Sequence, residues 1–299
     1  ILGELEARVE DWHDPGTDVA LAAATAHSGQ HGLKQSLPRG LLDLNRGWRG
    51  RPEEKETLFG KGTLDQWVRA NLRPGAEDEL HAWYVEALAE VRAAARGARG
   101  LVELHGYGDL GSTYDRMAGG RPNRRSEVSV VHGAPWASPF PIGVARLVPA
   151  SLRGTPWAVE ARLGEQLARR GLALGPSPYP SILPWTVSAR FLVERWFSWL
   201  ARIGRLDAEV ARRLSDLAWT DELSTELDAA VTGEATAHAW PGVRQLADVI
   251  GAWTHEGADL ADTFAKEDGT FTLGVELRCD RVDRATDFGE AVADAVTAR

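Results

Sequence analysis

The chain has 299 residues, of which 43% are hydrophobic and 26% are charged, a composition typical of a globular protein with one large or two smaller domains. Its formal charge of −9 disfavours nucleic acid as the main partner, because phosphate backbones bind cationic surfaces. No apolar segment reaches the roughly 20 residues that cross a bilayer, so the sequence predicts no membrane partner.

The cysteine content and the first residues bear on location. Cys279 is the single cysteine, which excludes an intrachain disulfide and a cysteine-rich metal cluster. Residues 1–6 have neither the basic nor the apolar segment of a signal peptide. Both features favour a cytoplasmic protein in a reducing compartment.

The first half of the chain predicts a strand, a helix and a second strand. Residues 18–26 form a run of small apolar side chains that ends at His27. A short apolar run without alternation is typical of a strand buried on both faces of a parallel sheet. Residues 76–99 have apolar side chains at helical spacing and predict an amphipathic helix. Residues 100–106 predict the next strand, with His105 near its end.

Strand and helix signals continue to alternate in the rest of the chain. We predict a strand at 127–132, a helix at 160–170, a short strand at 171–175, helices throughout 186–264, a strand at 269–278 and a helix at 288–298. This alternation favours an α/β fold, a three-layer sandwich around a mostly parallel or mixed sheet. Because the block 186–264 lies between sheet-forming segments, we interpret it as an all-helical insertion, able to act as a cap, on a core of residues 1–185 and 265–299.

Several polar residues follow or interrupt the predicted strands, and open α/β sheets bind ligands at strand ends. His27 and His105 each close an apolar strand, and neutral imidazole is a common metal ligand; the alternative for His27 is a turn residue. Glu276 lies inside an apolar strand, where a carboxylate costs free energy unless it is functional or paired with an arginine. Arg46 beside Asn45 is suited to hold a carboxylate by two hydrogen bonds.

Taken in chain order, these motifs resemble the N-formylglutamate amidohydrolase family, which is similar to zinc carboxypeptidases and aspartoacylase-type deacylases. The residues that carry the resemblance are His27-Ser28-Gly29, Asp43-Leu44-Asn45-Arg46, Leu101-Val102-Glu103-Leu104-His105-Gly106 and Gly274-Val275-Glu276-Leu277-Arg278. Residues 171–180 also resemble the family's segment that ends in an aromatic residue after proline. The resemblance covers residues 18–180 and 268–299 and leaves the helical block unmatched.

The resemblance implies a zinc-dependent hydrolase that cleaves the amide bond of an N-formyl or other N-acyl amino acid. His27 and His105 would bind one zinc ion, which lowers the pKa of its bound water and polarises the acyl carbonyl. Glu276 would take the proton of that water as general base. Asn45 and Arg46 would bind the substrate, with Arg46 holding its carboxylate.

The third zinc ligand departs from the family pattern, in which a carboxylate follows the first histidine closely. Here the corresponding positions hold Gln30 and His31. His31 would complete a three-histidine site, which zinc accepts for hydrolysis; Gln30 is the alternative ligand, and His31 facing solvent is a further reading. Glu103 would orient a ligand histidine.

The helical block is rich in tryptophan, and Trp185 stands at its start. We predict that Trp185 lines the substrate pocket; the alternative is that the block's tryptophans form its own small core and its contact with the sheet domain. The apolar faces of these helices must be buried against the α/β core or a second subunit, so the sequence is compatible with a homo-oligomer. Two other functions stay open: a carboxypeptidase-like deacylase of a larger substrate, and a metal-free binding protein of the same fold.

Overall fold

Four strands form one mixed sheet in the computed structural model, which describes residues 14–35, 37, 42–48, 66–109, 124–131, 149, 152–175, 186–220 and 259–297. The strands are β1 (Gly100–Tyr107), β2 (Val128–Val131), β3 (Leu174–Gly175) and β4 (Phe271–Arg278), in the spatial order β1-β4-β2-β3. β1 and β4 are parallel, β2 is antiparallel to β4, and β3 is parallel to β2. Helices and a mixed sheet confirm the predicted α/β class.

Helices precede, separate and follow these strands. They are α1 (Thr17–Ser28), α2 (Gln66–Asn71), α3 (Ala76–Ala94), α4 (Trp157–Arg169), α5 (Val187–Arg202), α6 (Ala208–Leu217) and α7 (Ala285–Thr297). Residues 259–267 are also helical, and a 3₁₀ helix (Cys279–Arg284) joins β4 to α7. The strands predicted near 100, 127, 171 and 269 and the helices predicted near 76, 160 and 288 are therefore confirmed, with shifted ends. None of the described helices is both long and apolar enough to cross a bilayer.

The strand predicted at residues 18–26 is wrong, because this segment forms helix α1. The run consists largely of alanine, which has the highest intrinsic helix propensity and is depleted in strands. Its small side chains also allow close packing on α7, where Ala20 is fully buried and a Cβ on Gly289 would overlap the Ala20 carbonyl oxygen. Uninterrupted small apolar residues therefore mark a close helix–helix contact here.

One face of the sheet is apolar. Successive side chains of a strand point to opposite faces, and alternate residues of β1, β2 and β4 pack in one hydrophobic cluster with α1, α4 and α7. The sheet residues of this cluster are Val102, Leu104, Val128, Val130, Leu174, Phe271, Leu273, Val275 and Leu277. We call this surface the apolar face.

The opposite face of the same strands is polar. The register pairs His105 with Glu276 and Glu276 with Ser129, so their side chains lie on one side of the sheet. We call this surface the polar face, and its polar members are Glu103, His105, Tyr107, Ser129, Thr272, Glu276 and Arg278. Helix α5 contacts both β1 and β4, and its Ser188 bonds to Glu103 of this face.

A second hydrophobic cluster joins the helices beyond the polar face. It combines α3, α5, α6, the segment 42–48 and residues 261–264. Trp196, Trp199 and Trp219 are buried in it, which agrees with the reading of these tryptophans as core residues. The described parts of 186–264 are mostly helical, as predicted, and they share this core with α3 and with residues 42–48.

Candidate functional site

The candidate site lies where β1 and β4 end on the polar face. Because the two strands are parallel, their carboxyl ends meet at one edge of the sheet and place His105 beside Glu276. The Glu276 residue is 2% exposed, whereas the His105 side chain is 16% exposed. The site therefore combines a deeply buried carboxylate with an imidazole that lies nearer the surface.

The segment 42–48 reaches this edge as a tight turn. The backbone N–H of Arg46 donates to the Asp43 carbonyl at 3.1 Å, and the Asn45 N–H donates to Asp43 Oδ1 at 3.0 Å. An aspartate that accepts from the backbone two residues later forms an Asx turn, which the sequence Asp-Leu-Asn favours locally. This turn fixes the backbone that carries Asn45 and Arg46.

Asn45 connects the turn to both α5 and β1. Its Oδ1 accepts a hydrogen bond from the Val187 N–H at 2.9 Å, and its Nδ2 lies 3.2 Å from His105 Nε2. Val187 is the first residue of α5, and first-turn N–H groups have no partner within their helix. The Thr186 hydroxyl caps the same helix by accepting from Ala189 N–H at 3.1 Å.

The second ring nitrogen of His105 faces Asp14, a residue that the sequence reasoning missed. Nδ1 lies 3.3 Å from Asp14 Oδ2. The backbone of Asp14 passes so close to β1 that a Cβ on Gly106 would lie 3.2 Å from it. The glycine after His105 was the available signal, since glycine in a strand often marks a close backbone approach.

Arg46 is held by an ion pair inside its own turn. Its Nε donates to Asp43 Oδ2 at 2.9 Å, and the two side chains are 17% and 9% exposed. The Arg46 carbonyl accepts from the Tyr84 hydroxyl at 2.9 Å, and Tyr84 in turn accepts from the buried Arg190 at 3.0 Å. The backbone of the turn is thus tied to α3 and α5, and the Arg46 guanidinium is paired with Asp43.

The hydroxyl groups of Ser188, Tyr107 and Ser129 also lie at the polar face. The Ser188 hydroxyl donates to Glu103 Oε2 at 2.6 Å. Glu103 therefore bonds to α5, and this bond differs from the predicted role of orienting a ligand histidine. The Tyr107 hydroxyl lies 2.8 Å from Ser129 Oγ. Burial, and to a smaller degree the negative charge of Glu276, raises the pKa of Tyr107.

His27 lies far from this site. It is in the last turn of α1, whose first turn follows Asp14, so about 15 Å of helix separates the two ends at 1.5 Å per residue. Its Nε2 is 2.8 Å from Asp294 Oδ1. A hydrogen bond from Arg170, followed by the one from His27, lowers the pKa of Asp294. The contact between His27 and Asp294 thus links α1 to α7.

The remaining predicted site residues lie apart from His105 or outside the described residues. Gln30 and His31 are exposed after the end of α1. Trp185 lies outside the part of the chain that the structure describes. Of the predicted set, the structure brings together Asn45, Arg46, His105 and Glu276, and it does not bring His27, Gln30 or His31 to them.

The predicted zinc ligands do not converge in this geometry. Both ring nitrogens of His105 face protein groups, so a metal ion at either nitrogen would displace Asn45 or Asp14. Within the described ranges, no group of three or more His, Cys, Asp or Glu side chains is arranged to hold a metal ion. The set His27, His105 and His31 does not fit a single zinc ion in this arrangement.

The chain was compared with known proteins. It matches no protein-family model, no curated protein and no solved structure. The functional interpretation therefore depends on the site geometry and on the sequence motifs.

Proposed function

We propose that this protein is a hydrolase of the amide bond of N-acyl amino acids, N-formyl derivatives in particular, with its site at the carboxyl end of β1 and β4. One observation carries the proposal. Asn45, His105 and Glu276 come from three separate motifs of the resemblance, and in the structure Asn45 contacts His105, which pairs with Glu276 across the strands. Residues of three motifs thus lie together at one edge of the sheet.

The chemistry assigned to these residues is the one that the resemblance implies. A water oxygen adds to the acyl carbon while its proton passes to the Glu276 carboxylate. The carbon–nitrogen bond then breaks, and the same proton passes to the leaving nitrogen, which gives a carboxylic acid and an amino acid. Arg46 holds the substrate carboxylate and thereby orients the amide.

Zinc remains a prediction of the resemblance, and the reaction steps described for Glu276 and Arg46 do not include it. Metal analysis of the protein purified without added zinc tests it.

The three-layer arrangement, the role of 186–264 as an insertion or cap and the cytoplasmic location also belong to the proposal. They are supported by helix contacts on both faces of the sheet and by the single cysteine.

A second candidate is a metal-free protein that binds N-acyl amino acids without cleaving them. The contacts of His105 favour it, because both ring nitrogens already face Asp14 and Asn45. Such a protein would keep the carboxylate-binding role of Arg46 and lose the reaction.

The test measures release of free amine from N-formylglutamate, N-acetylglutamate and N-formylphenylalanine, with and without added zinc, alongside binding by calorimetry. The matched variants are His105→Gln and His27→Gln. We expect His105→Gln to lower turnover about 100-fold, because the ring lies beside the general base Glu276 and contacts the substrate-binding Asn45, and His27→Gln to keep it. Equal losses in both variants would support the zinc ligand pair of the resemblance and contradict the site described here. Binding without turnover would support the second candidate, and neither binding nor turnover would refute both.

A further inference from the structure

We infer that Asp14 and Asn45 are positioning residues that hold His105 in one neutral tautomer, with its proton on Nδ1 and its lone pair on Nε2. The inference deepens the proposed function, because it says which ring atom of His105 the site presents. The tautomer itself follows from hydrogen-bond geometry and does not depend on the reaction.

The orientation of the Asn45 amide is decided by helix α5. A backbone N–H can only donate, and the Val187 N–H points at the Asn45 side chain at 2.9 Å. The atom that accepts this bond must be the amide oxygen, since an amide NH₂ in the same place would set two donors against each other. The opposite end of the amide, which faces His105, is therefore the NH₂ donor.

The Asn45 donor selects the acceptor on the imidazole. Nδ2 of Asn45 lies 3.2 Å from His105 Nε2, and a neutral imidazole has one N–H and one lone pair. Nε2 must carry the lone pair to accept this bond, so the proton of the neutral ring belongs on Nδ1. The first N–H of α5 thus determines, through one amide, the protonation pattern of a ring on β1.

Asp14 selects the same tautomer from the other side of the ring. Its carboxylate oxygen lies 3.3 Å from Nδ1 and can only accept, which requires a proton on Nδ1. Asp14 is itself held in place, because its carbonyl accepts from the Thr17 hydroxyl at 2.7 Å and from the Thr17 N–H at 3.3 Å. Two independent contacts therefore agree on one form of the ring.

This tautomer has a consequence for what the site can bind. Nε2 has a single lone pair, so a ligand group that donates to it must replace the bond from Asn45. An amide N–H or a water molecule can do this, whereas a carbonyl oxygen cannot. Asn45 would then change partners when substrate binds, and it would be a positioning residue whose own amide becomes available for the substrate.

The experiment reads the position of the proton directly. Long-range ¹H–¹⁵N correlation spectra of the ¹⁵N-labelled full chain distinguish the two neutral tautomers, and we would record them at a pH where the rings are neutral. His105→Gln and His27→Gln assign the two signals. We expect His105 to show the Nδ1–H pattern. His27 is the internal control and should show Nε2–H, because its Nε2 faces the Asp294 carboxylate.

Two variants separate the contributions of the positioning residues. Because either contact alone still favours Nδ1–H, Asn45→Ala and Asp14→Ala should each shift the His105 signal only part of the way to a mixture of tautomers, the double variant should give the full mixture, and none of them should alter His27. An Nε2–H pattern for His105 in the unmodified protein would overturn the inference, and so would an unchanged Nδ1–H pattern in the double variant. Absence of amide hydrolysis would refute the proposed function and not the tautomer, so the two failures are distinguishable.

Discussion

The two faces of β1 and β4 are equally hidden from water and chemically opposite. On β4, Leu277 of the apolar face is 1% exposed and Glu276 of the polar face is 2% exposed, although they are neighbours in the chain. Burying an apolar side chain stabilises the fold by about 25 cal/mol per Å², whereas burying a carboxylate costs free energy unless it is bonded. The apolar face therefore stabilises the fold, and the polar face carries the residues of the proposed site.

The largest expected effect is on catalysis at the polar face. Glu276→Gln keeps the shape of the side chain but removes the base, so kcat should fall about 10²- to 10⁴-fold. The free energy of unfolding should change by less than about 1 kcal/mol, because a neutral amide is easier to bury than a carboxylate. Amine release and urea unfolding measure the two quantities. A near-native kcat would show that Glu276 has only a structural role.

The next effect is on stability at the apolar face. Leu277→Ala removes a buried side chain from the cluster between the sheet and helices α1, α4 and α7. We expect a loss of about 2–5 kcal/mol in the free energy of unfolding, as in other large-to-small core substitutions. In the protein that remains folded, kcat should stay within about twofold. A large loss of kcat without a loss of stability would remove the distinction between the faces.

A smaller effect on stability is expected at two glycines in the helices that pack on the apolar face, where substitution by alanine should have opposite results. Gly289→Ala forces α7 away from the Ala20 carbonyl of α1 and should cost about 1–3 kcal/mol by overpacking. Gly164→Ala is the matched control, since its Cβ would meet Leu174 at an ordinary 3.5 Å. It should stabilise α4 by about 0.5–1 kcal/mol through helix propensity. Thermal unfolding of both variants would show opposite shifts in Tm, and equal shifts would contradict the close α1–α7 packing.

The smallest expected effect is on the pH dependence of stability, and it comes from Tyr107 of the polar face. Burial raises the pKa of Tyr107 above its usual value near 10. The unfolded chain therefore loses this proton at a lower pH than the folded protein, and stability should fall as pH rises above about 10. Tyr107→Phe lacks this ionisation and should cost about 1 kcal/mol at neutral pH through its lost hydrogen bonds. The difference in the free energy of unfolding between Tyr107→Phe and the unmodified protein should become smaller between pH 9 and about 11 in urea unfolding. A constant difference would contradict the burial of the hydroxyl.

The sequence predicted the strands whose residues alternate or lie between clear turn signals, including those that carry His105 and Glu276. It did not predict α1, because the hydrophobic pattern of an alanine-rich run fits a buried strand as well as a closely packed helix. The helix propensity of alanine favours the helix, and the contact with α7, more than 260 residues away, buries it. His27 was misplaced with that helix, and its assignment as a neighbour of His105 depended on the expected strand.

The candidate site was predictable where chemistry is encoded locally and was missed where it depends on distant contacts. Asn45 and Arg46 lie in an Asx turn that their own sequence favours, and Glu276 stands out as an acid in an apolar strand. Asp14 and the Val187 N–H have no such local signature. Their roles appear only when the chain brings residues 14, 45, 105 and 187 together.

Ligand titration followed by NMR tests most directly the claim that function belongs to the polar face. N-formylglutamate would be added to labelled protein while side-chain signals of both faces are observed in the same spectra. We predict saturable shifts of the His105 imidazole and Tyr107 ring signals, with the methyl signals of Leu273, Val275 and Leu277 unchanged. Saturable shifts confined to the apolar face or to the region of His27, with His105 unaffected, would contradict the account.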